Sequence, residues 1–335
     1  MKYLLLPLCL FSFLNFSLAR EVTVRLRVAA NLADFPVILK ARFKPISSTV
    51  WSLDGSGLVF NDKRLSNKNF VIKKSENKFD LVSLLDFDDY IAGVISKEMP
   101  LSWPEEALKA QAVVARSYAL AKISERQNKS FHLDNSQMDQ VFEITDSEKA
   151  KRAVLATDQI VLKDQNNKIL KAYYHADCGG QTIPASKVWP GAIDSGTATD
   201  PWCQERKSNE WAFTLTTSNL PSVDWNSMAA KENFQGRIQS FQMLDQIISV
   251  QKLRQIFGYA VIKNSPTSFE KTEDEIKFKG KGFGHGVGLC QWGTLAQARL
   301  GKSYAQILAH YYPDAQLSEN KQLLAKSLLA DLVFN

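Results

Sequence analysis

The chain is predicted to adopt an α+β fold, with mixed short-strand sheets around a packed helical pair and a β-rich N-terminal region. Three observations carry that expectation. Val22 to Val28 alternates strictly, apolar on even numbers and polar on odd, which is the period of a half-buried strand. The stretch after Pro104 to about Glu125 contains no Gly or Pro and is rich in Ala, as a helix packed on several sides requires. From Gln159 onward, short β-branched and aromatic runs are separated by turn residues. Composition allows such a fold. The 335 residues are 45% apolar and 23% charged, which excludes disordered, collagenous and coiled-coil classes. Lys and Arg number 41 against 35 Asp and Glu, a spread net charge of +6 with no basic arm for nucleic acid. Four cysteines are too few for a disulfide-dense mini-fold.

The first element is an export signal. Met1 to Ala19 has Lys2, an apolar stretch from Leu4 to Leu14, and small residues at Ser17 and Ala19 where a signal peptidase cuts. That stretch is shorter than the ~20 residues a spanning helix needs. Membrane contact is therefore expected only through an uncleaved signal segment. The mature chain is expected to start near Arg20 and to be exported, periplasmic or cell-wall associated. Residues 20–80 follow as short apolar runs broken by Pro36, Pro45, Gly55 and Gly57, a β-rich region without clustered catalytic residue types.

A second region is expected over residues 86–315, with 316–335 as a C-terminal tail. Asp86 to Lys97 reads as a helix with acidic residues in its first turn, stopped by Pro100. A second helix start follows, with Ser102 as N-cap, Pro104 in the first turn and Glu105 completing a capping box. On it, Lys109 and Arg116 share one stripe with Glu105. Either they form a solvated ion-paired face or they line a cleft. Gln159 to Tyr174 reads as a hairpin about Asp164-Gln-Asn-Asn, and Gln251 to Phe257 as an amphipathic helix. Glycines at 280, 282, 284, 286 and 288 would share one face of an extended strand. A bare face of that kind is tolerated where a backbone or a ligand approaches closely.

The chemistry-bearing residues are few. Outside the cytoplasm, Cys178 and Cys203 are expected to pair as a disulfide, leaving Cys290 over. The rival reading is a zinc site from His175, Cys178 and Cys203, although neither CxxC nor HExxH is present. The main reading needs no cofactor, and zinc is its alternative. No GxSxG elbow occurs. Glu98 lies between the two helices beside Met99 and Trp103, where partial burial would ready a carboxyl as a general acid. A plain surface charge is the competing reading.

Tyr90 to Tyr118, spanning Ser-Lys-Glu98-Met-Pro, closely resembles the signature of the SpoIID/LytB family. Asp139 to Phe142, Ala172 to Thr182 with Val188-Trp189, Gly280 to Gly293 and Tyr304 to Pro313 resemble that family in the same order. The resemblance implies action on peptidoglycan: lytic transglycosylases that cut glycan strands lacking stem peptides, with Glu98 in the position of the catalytic acid. It equally implies LytB-type modifiers of a cell-wall amidase, and zinc in some members. On this reading Lys109, Arg116, His285, Gln291 and His175 are candidates to bind substrate. Trp103, Trp189 and Trp292 are candidate flat faces for sugar rings. The expected partners are peptidoglycan glycan strands and an amidase, with no nucleic acid.

Overall fold

The computed structural model describes residues 23–32, 43–47, 50–53, 58–60, 63–65, 70–75, 78–204, 209–217 and 225–320; the expected signal peptide, residues 1–19, lies outside them. Among the described residues, no helix is long and apolar enough to cross a membrane.

The N-terminal region is β-rich as its alternation predicts. Strand β1 (Thr23–Leu32) buries Val24 and Leu26 completely. Strands β2 (Phe43–Ser47), β3 (Val50–Leu53), β4 (Leu58–Phe60), β5 (Lys63–Leu65), β6 (Phe70–Ser75) and β7 (Lys78–Asp86) follow. With β8 (Leu133–Asp134), six of them form one sheet of order β2-β3-β6-β7-β1-β8, while β4 and β5 make a separate hairpin. The β1–β8 pairing is parallel and ties this sheet to the rest of the chain.

Asp86 ends β7 and caps helix α1 (Phe87–Glu98). Its carboxylate accepts from the N–H groups of Asp88 and Asp89 at 2.9 and 3.1 Å. That satisfies two of the donors a helix start leaves open. Met99 is extended, Pro100 follows, and α1 therefore ends on Glu98. Helix α2 (Glu105–Glu125) starts later than its capping signal suggests. Trp103 N–H closes a tight turn on the Pro100 carbonyl at 3.0 Å, which leaves Ser102 outside and Pro104 at the N-cap with no side-chain cap. The expected capping box does not form, and Glu105 turns to Lys109 instead. The Ala-rich expectation for α2 is borne out: Ala107, Leu108, Ala110 and Ala112 to Ala115 are fully buried. Small side chains let α2 sit close to α1 and to α3 (Glu148–Leu155).

Beyond α3 come β9 (Ile160–Lys163), β10 (Tyr174–His175) and the short α4 (Pro201–Gln204). An insertion then builds its own core. Strands β11 (Glu210–Thr216), β12 (Ala229–Phe234), β13 (Arg237–Met243), β14 (Gln246–Ser249), β15 (Pro266–Lys271) and β16 (Glu275–Lys281) form two three-stranded sheets. With helix α5 (Val250–Phe257), at the expected place, they enclose Trp211, Phe241, Leu253, Ile276 and Phe278. The chain returns through β17 (Leu289–Cys290), α6 (Gln291–Arg299), α7 (Tyr304–Tyr311) and β18 (Gln316–Glu319).

Two local expectations change. The hairpin after β9 turns as predicted, with the Asp164 carboxylate accepting from the N–H groups of Asn166 and Lys168. Its return limb pairs at Lys163–Ile169 and through the Asp164–Lys168 and Leu170–Leu162 backbone bonds without becoming a full strand, while β18 pairs antiparallel along all four residues of β9. The glycine run is not a strand beyond Lys281. Gly282, Gly284, Gly286 and Gly288 have φ of +93°, +118°, +80° and +69°, a region side chains rarely enter. The close approach does exist, but the neighbour is the chain from Tyr173 to Cys178. A Cβ on Gly282 would meet the Asp177 carbonyl at 2.6 Å, and one on Gly284 the His175 Cβ at 2.7 Å. At Gly282 and Gly288 the bare positions seat one backbone against another.

Candidate active site

A cleft of about 1400 Å³ is lined by Glu98, Asp139, Tyr173, Tyr174, Trp189 and His285, among others. Glu98 is half-buried at the last turn of α1. Three separate segments hold its carboxyl. The Tyr174 hydroxyl of β10 donates to Oε1 at 3.0 Å, Gln291 Nε2 at the start of α6 reaches Oε2 at 3.5 Å, and the Val141 backbone adds a third bond. The parallel pairing of β10 with β17 sets Tyr174 and Gln291 side by side. Burial raises the Glu98 pKa, and the bonds from Tyr174, Gln291 and Val141 pull the other way without cancelling it.

The donors run in one direction. The Tyr90 hydroxyl donates to Gln140 Oε1 at 3.0 Å, Gln140 Nε2 donates to the Tyr174 hydroxyl at 3.3 Å, and Tyr174 donates onward to Glu98. Burial first, and the Glu98 charge second, push the Tyr174 phenol well above its ordinary value, so it remains a donor. Tyr174→Phe removes a bond that favours the charged carboxylate. The alkaline limb of the pH–rate profile, which reports loss of a general acid, is then expected to move to higher pH. An unmoved or lowered limb in kcat/KM measured against pH contradicts this assignment.

Asp139, also on the cleft, is held in the opposite state. Burial raises its pKa, but Lys122 Nζ at 2.9 Å and Arg126 Nη1 at 2.6 Å outweigh burial and bring it below the usual value. Two carboxyls with environments pushed apart have separate roles. Burial favours the protonated form of Glu98, whereas Asp139 is held as an anion between two cations.

The other expected binding residues divide. Gln291 and His175 lie on the cleft, and His175 Nδ1 is bonded to the Val287 carbonyl at 3.0 Å. His285 is there too, between Tyr173 and Trp189. Burial first, then His175 and Arg254, push its pKa well below the ordinary value, so it is neutral at pH 7. Its Nδ1 accepts from the Val287 N–H at 3.0 Å. Trp189 stacks on Tyr173 at 4.2 Å and lines the cleft. Trp103 and Trp292 pack on each other away from it.

Lys109 and Arg116 do not reach the site. Lys109 pairs with Glu105 and Glu106 at 3.0 and 2.9 Å, so the ion-paired reading of that stripe holds for Lys109 but not for Arg116. Arg116 is 1% exposed and donates to the carbonyls of Val154, Thr157 and Ile160, closing the end of α3. They lie in the last turn of α3, just beyond its end and at the first residue of β9, where carbonyls without a ladder partner need donors. Arg116→Met is expected to cost about 3 kcal/mol or more in urea unfolding and to leave KM unchanged. A raised KM in a stably folded variant would return Arg116 to the substrate.

Several cleft residues were not singled out by sequence. Tyr174 and Tyr173 lie in the same motif as His175, and Asp139 opens another. Arg254 gave no signal beyond its place on an amphipathic helix. Its buried guanidinium donates to the carbonyls of Ile262 and Lys263 and to Gln251. Among the described residues it has no carboxylate partner, and burial pushes its pKa down to about 10.

The cysteines also differ from expectation. Cys178, Cys203 and Cys290 are all buried free thiols, and no Cys178–Cys203 bridge is formed. The β10–β17 pairing carries Cys290 into the group, where its sulfur lies 3.2 Å from Cys203 Sγ. Asp200 completes the cluster, with the three sulfurs and a carboxylate oxygen all within 4.8 Å of one another. His175 is not among those four. The cluster is a set of donors able to hold a metal ion. Burial pushes the Cys178 thiol up, and it raises Asp200 to about 6.

The stage II sporulation protein family SpoIID matches residues 75–163, the segment that carries Glu98 and Asp139. An uncharacterized protein of Brachyspira hyodysenteriae is 31% identical over 246 residues, 69% of this chain and 66% of the relative. Stage II sporulation protein D of Bacillus amyloliquefaciens is 28% identical over 271 residues, 73% of this chain and 78% of the relative. The amidase enhancer of Bacillus subtilis is 26% identical over 296 residues, 68% of this chain but 40% of that longer protein.

Proposed function

Because the chain belongs to the SpoIID/LytB family, we propose that it is an exported lytic transglycosylase of peptidoglycan, with Glu98 as its one acid–base group. The observation that carries this reading is the half-buried Glu98 carboxyl on a wide cleft, its pKa raised while Asp139 beside the same space is lowered. Ordinary glycosidases use two carboxyls about the bond. With Asp139 committed to Lys122 and Arg126, the second must be replaced, and the sugar's own C6 hydroxyl can serve as nucleophile. Protonated Glu98 donates to the glycosidic oxygen as the bond breaks. The resulting carboxylate takes the proton from the C6 hydroxyl as it closes on C1, which leaves a 1,6-anhydro end. General acid–base action of this kind supplies roughly 10²–10⁴-fold. Stacking of sugar faces on Trp189 and Tyr173 supplies position.

Arg254 supports the choice of strands lacking stem peptides. Removal of the peptide exposes a carboxylate on each muramic residue, and Arg254 on the cleft is a buried cation whose described partners are all neutral. The test is incubation with peptide-stripped glycan and detection of anhydro-ended fragments by mass spectrometry. Absence of such fragments from the wild-type protein overturns the reading.

A second reading rests on the likeness to the amidase enhancer. In it the cleft binds glycan without cutting and the protein stimulates a cell-wall amidase. Glycan retention without product, together with faster amidase turnover, selects it.

A further inference from the structure

We propose that Cys178, Cys203, Cys290 and Asp200 form a structural zinc centre that holds together the two strands presenting Tyr174 and Gln291 to Glu98. Three sulfurs and one carboxylate oxygen converge within 4.8 Å, and the three cysteines and Asp200 are fully buried. Four converging ligands with no open position are the mark of a structural rather than a catalytic zinc. Three soft thiolates with one hard carboxylate favour Zn²⁺ over copper(I), which avoids oxygen, and over Mg²⁺ or Ca²⁺, which avoid sulfur.

Backbone donors are aimed at two of the three sulfurs. Cys290 Sγ accepts from the N–H groups of Cys178 at 3.2 Å and Gly293 at 3.4 Å, and Cys178 Sγ accepts from Gly180 N–H at 3.4 Å. Backbone donors aimed at sulfur spread the negative charge a metal-bound thiolate keeps. Asp200 is oriented as a ligand would be: the Tyr311 hydroxyl donates to Oδ2 at 2.6 Å, and Cys203 N–H to Oδ1 at 3.2 Å. The buried Arg237 donates to the Cys178 carbonyl and places a positive charge beside the cluster. Space is reserved as well. A Cβ on Gly293 would lie 2.0 Å from the Tyr311 hydroxyl and 2.1 Å from Asp200 Oδ2.

Binding is balanced without any oxidant. Zn²⁺ forms three Zn–S bonds and one Zn–O bond, the three thiols release three protons to solvent, and Asp200 enters as its carboxylate. The site lies one residue from Gln291 and four from Tyr174 along the chain. It links the segment that follows β10, β17 and α4, beside the β10–β17 pairing that sets the bonds to Glu98.

The test uses the full chain purified without chelator. One zinc per chain is expected by elemental analysis, all three cysteines resisting alkylation until metal is removed. Exchange for cobalt(II) should give the tetrahedral visible bands and the sulfur-to-cobalt charge-transfer band of a three-thiolate site. Asp200→Asn is expected to weaken zinc binding about 10–100-fold, and chelation to lower the Tm of the wild type. Should Cys203→Ser fail to fold, the wild-type cobalt spectrum decides alone. The inference is overturned if reduced wild-type protein takes up neither zinc nor cobalt. It is equally overturned if a non-reducing peptide map shows a Cys203–Cys290 disulfide that persists when zinc is supplied during folding. Glu98→Gln protein should carry the same metal, so the outcome is independent of the glycan assay.

Discussion

Glu98→Gln is expected to abolish release of anhydro-ended fragments from peptide-stripped glycan while leaving the fold intact. The amide keeps the shape of the carboxyl and can still accept from Tyr174, but it has no proton to give the glycosidic oxygen. The loss should be at least the roughly 10²–10⁴-fold that general acid–base action provides. Asp139 cannot substitute, because Lys122 and Arg126 keep it ionised. A stability readout separates this role from a structural one. The folded pKa of Glu98 is raised, so the unfolded chain releases that proton at lower pH than the folded chain does. Stability from this group therefore falls as pH rises from the unfolded pKa of about 4.3 to the higher folded value, and the deficit stays in full above it. Gln carries no such deficit. The variant should melt above the wild type at pH 7, and the two should converge as pH falls below the ordinary carboxyl range. A variant that retains product, or one that melts lower than the wild type at neutral pH, contradicts the assignment of Glu98 as a desolvated acid.

What the sequence made legible follows from what each signal depends on. Alternation in β1 and the acidic start and proline stop of α1 are local signals, and those of α1 place Glu98 at a helix end. The mixed α+β class emerged the same way. Signals that depend on partners distant in sequence were read less well. The Lys109/Arg116 stripe pointed equally to ion pairs and to a cleft, and only the packing of α3 on α2 shows Arg116 spent on carbonyls. Cys290 stood alone in sequence because its neighbours are reached through a two-residue parallel pairing, which has no local signature. Asp200 had none at all. Tyr174 and Gln140 act on Glu98 through a buried relay, and a buried tyrosine reads in sequence as core. The glycine run was recognised as a place of close approach, while its alternating positive φ values, which no spacing rule encodes, decide what approaches.

Gly288→Ala is expected to be among the most damaging single-methyl changes at the described residues. Two costs coincide there. Gly288 has φ of +69°, where an L side chain costs about 1–2 kcal/mol. Its Cβ would also lie 2.1 Å from the Tyr173 carbonyl oxygen, a backbone atom with no rotamer to relieve it. That carbonyl already accepts from the Leu289 N–H and the Tyr312 hydroxyl, so moving it opens the pairing that brings β17 to β10. Overpacking against a fixed group adds a further ~1–3 kcal/mol or more. The sum, about 2–5 kcal/mol or more in urea unfolding, is a large fraction of the stability of a marginally stable domain. Gly301→Ala provides the control. Its φ is +82° and nothing lies within 4 Å of the added methyl, so only the backbone cost of about 1–2 kcal/mol applies. The difference between the two variants isolates the close approach. Equal losses would mean that the glycines serve backbone conformation alone and that the register of β10 and β17, on which Tyr174 and Gln291 depend, is held by other contacts.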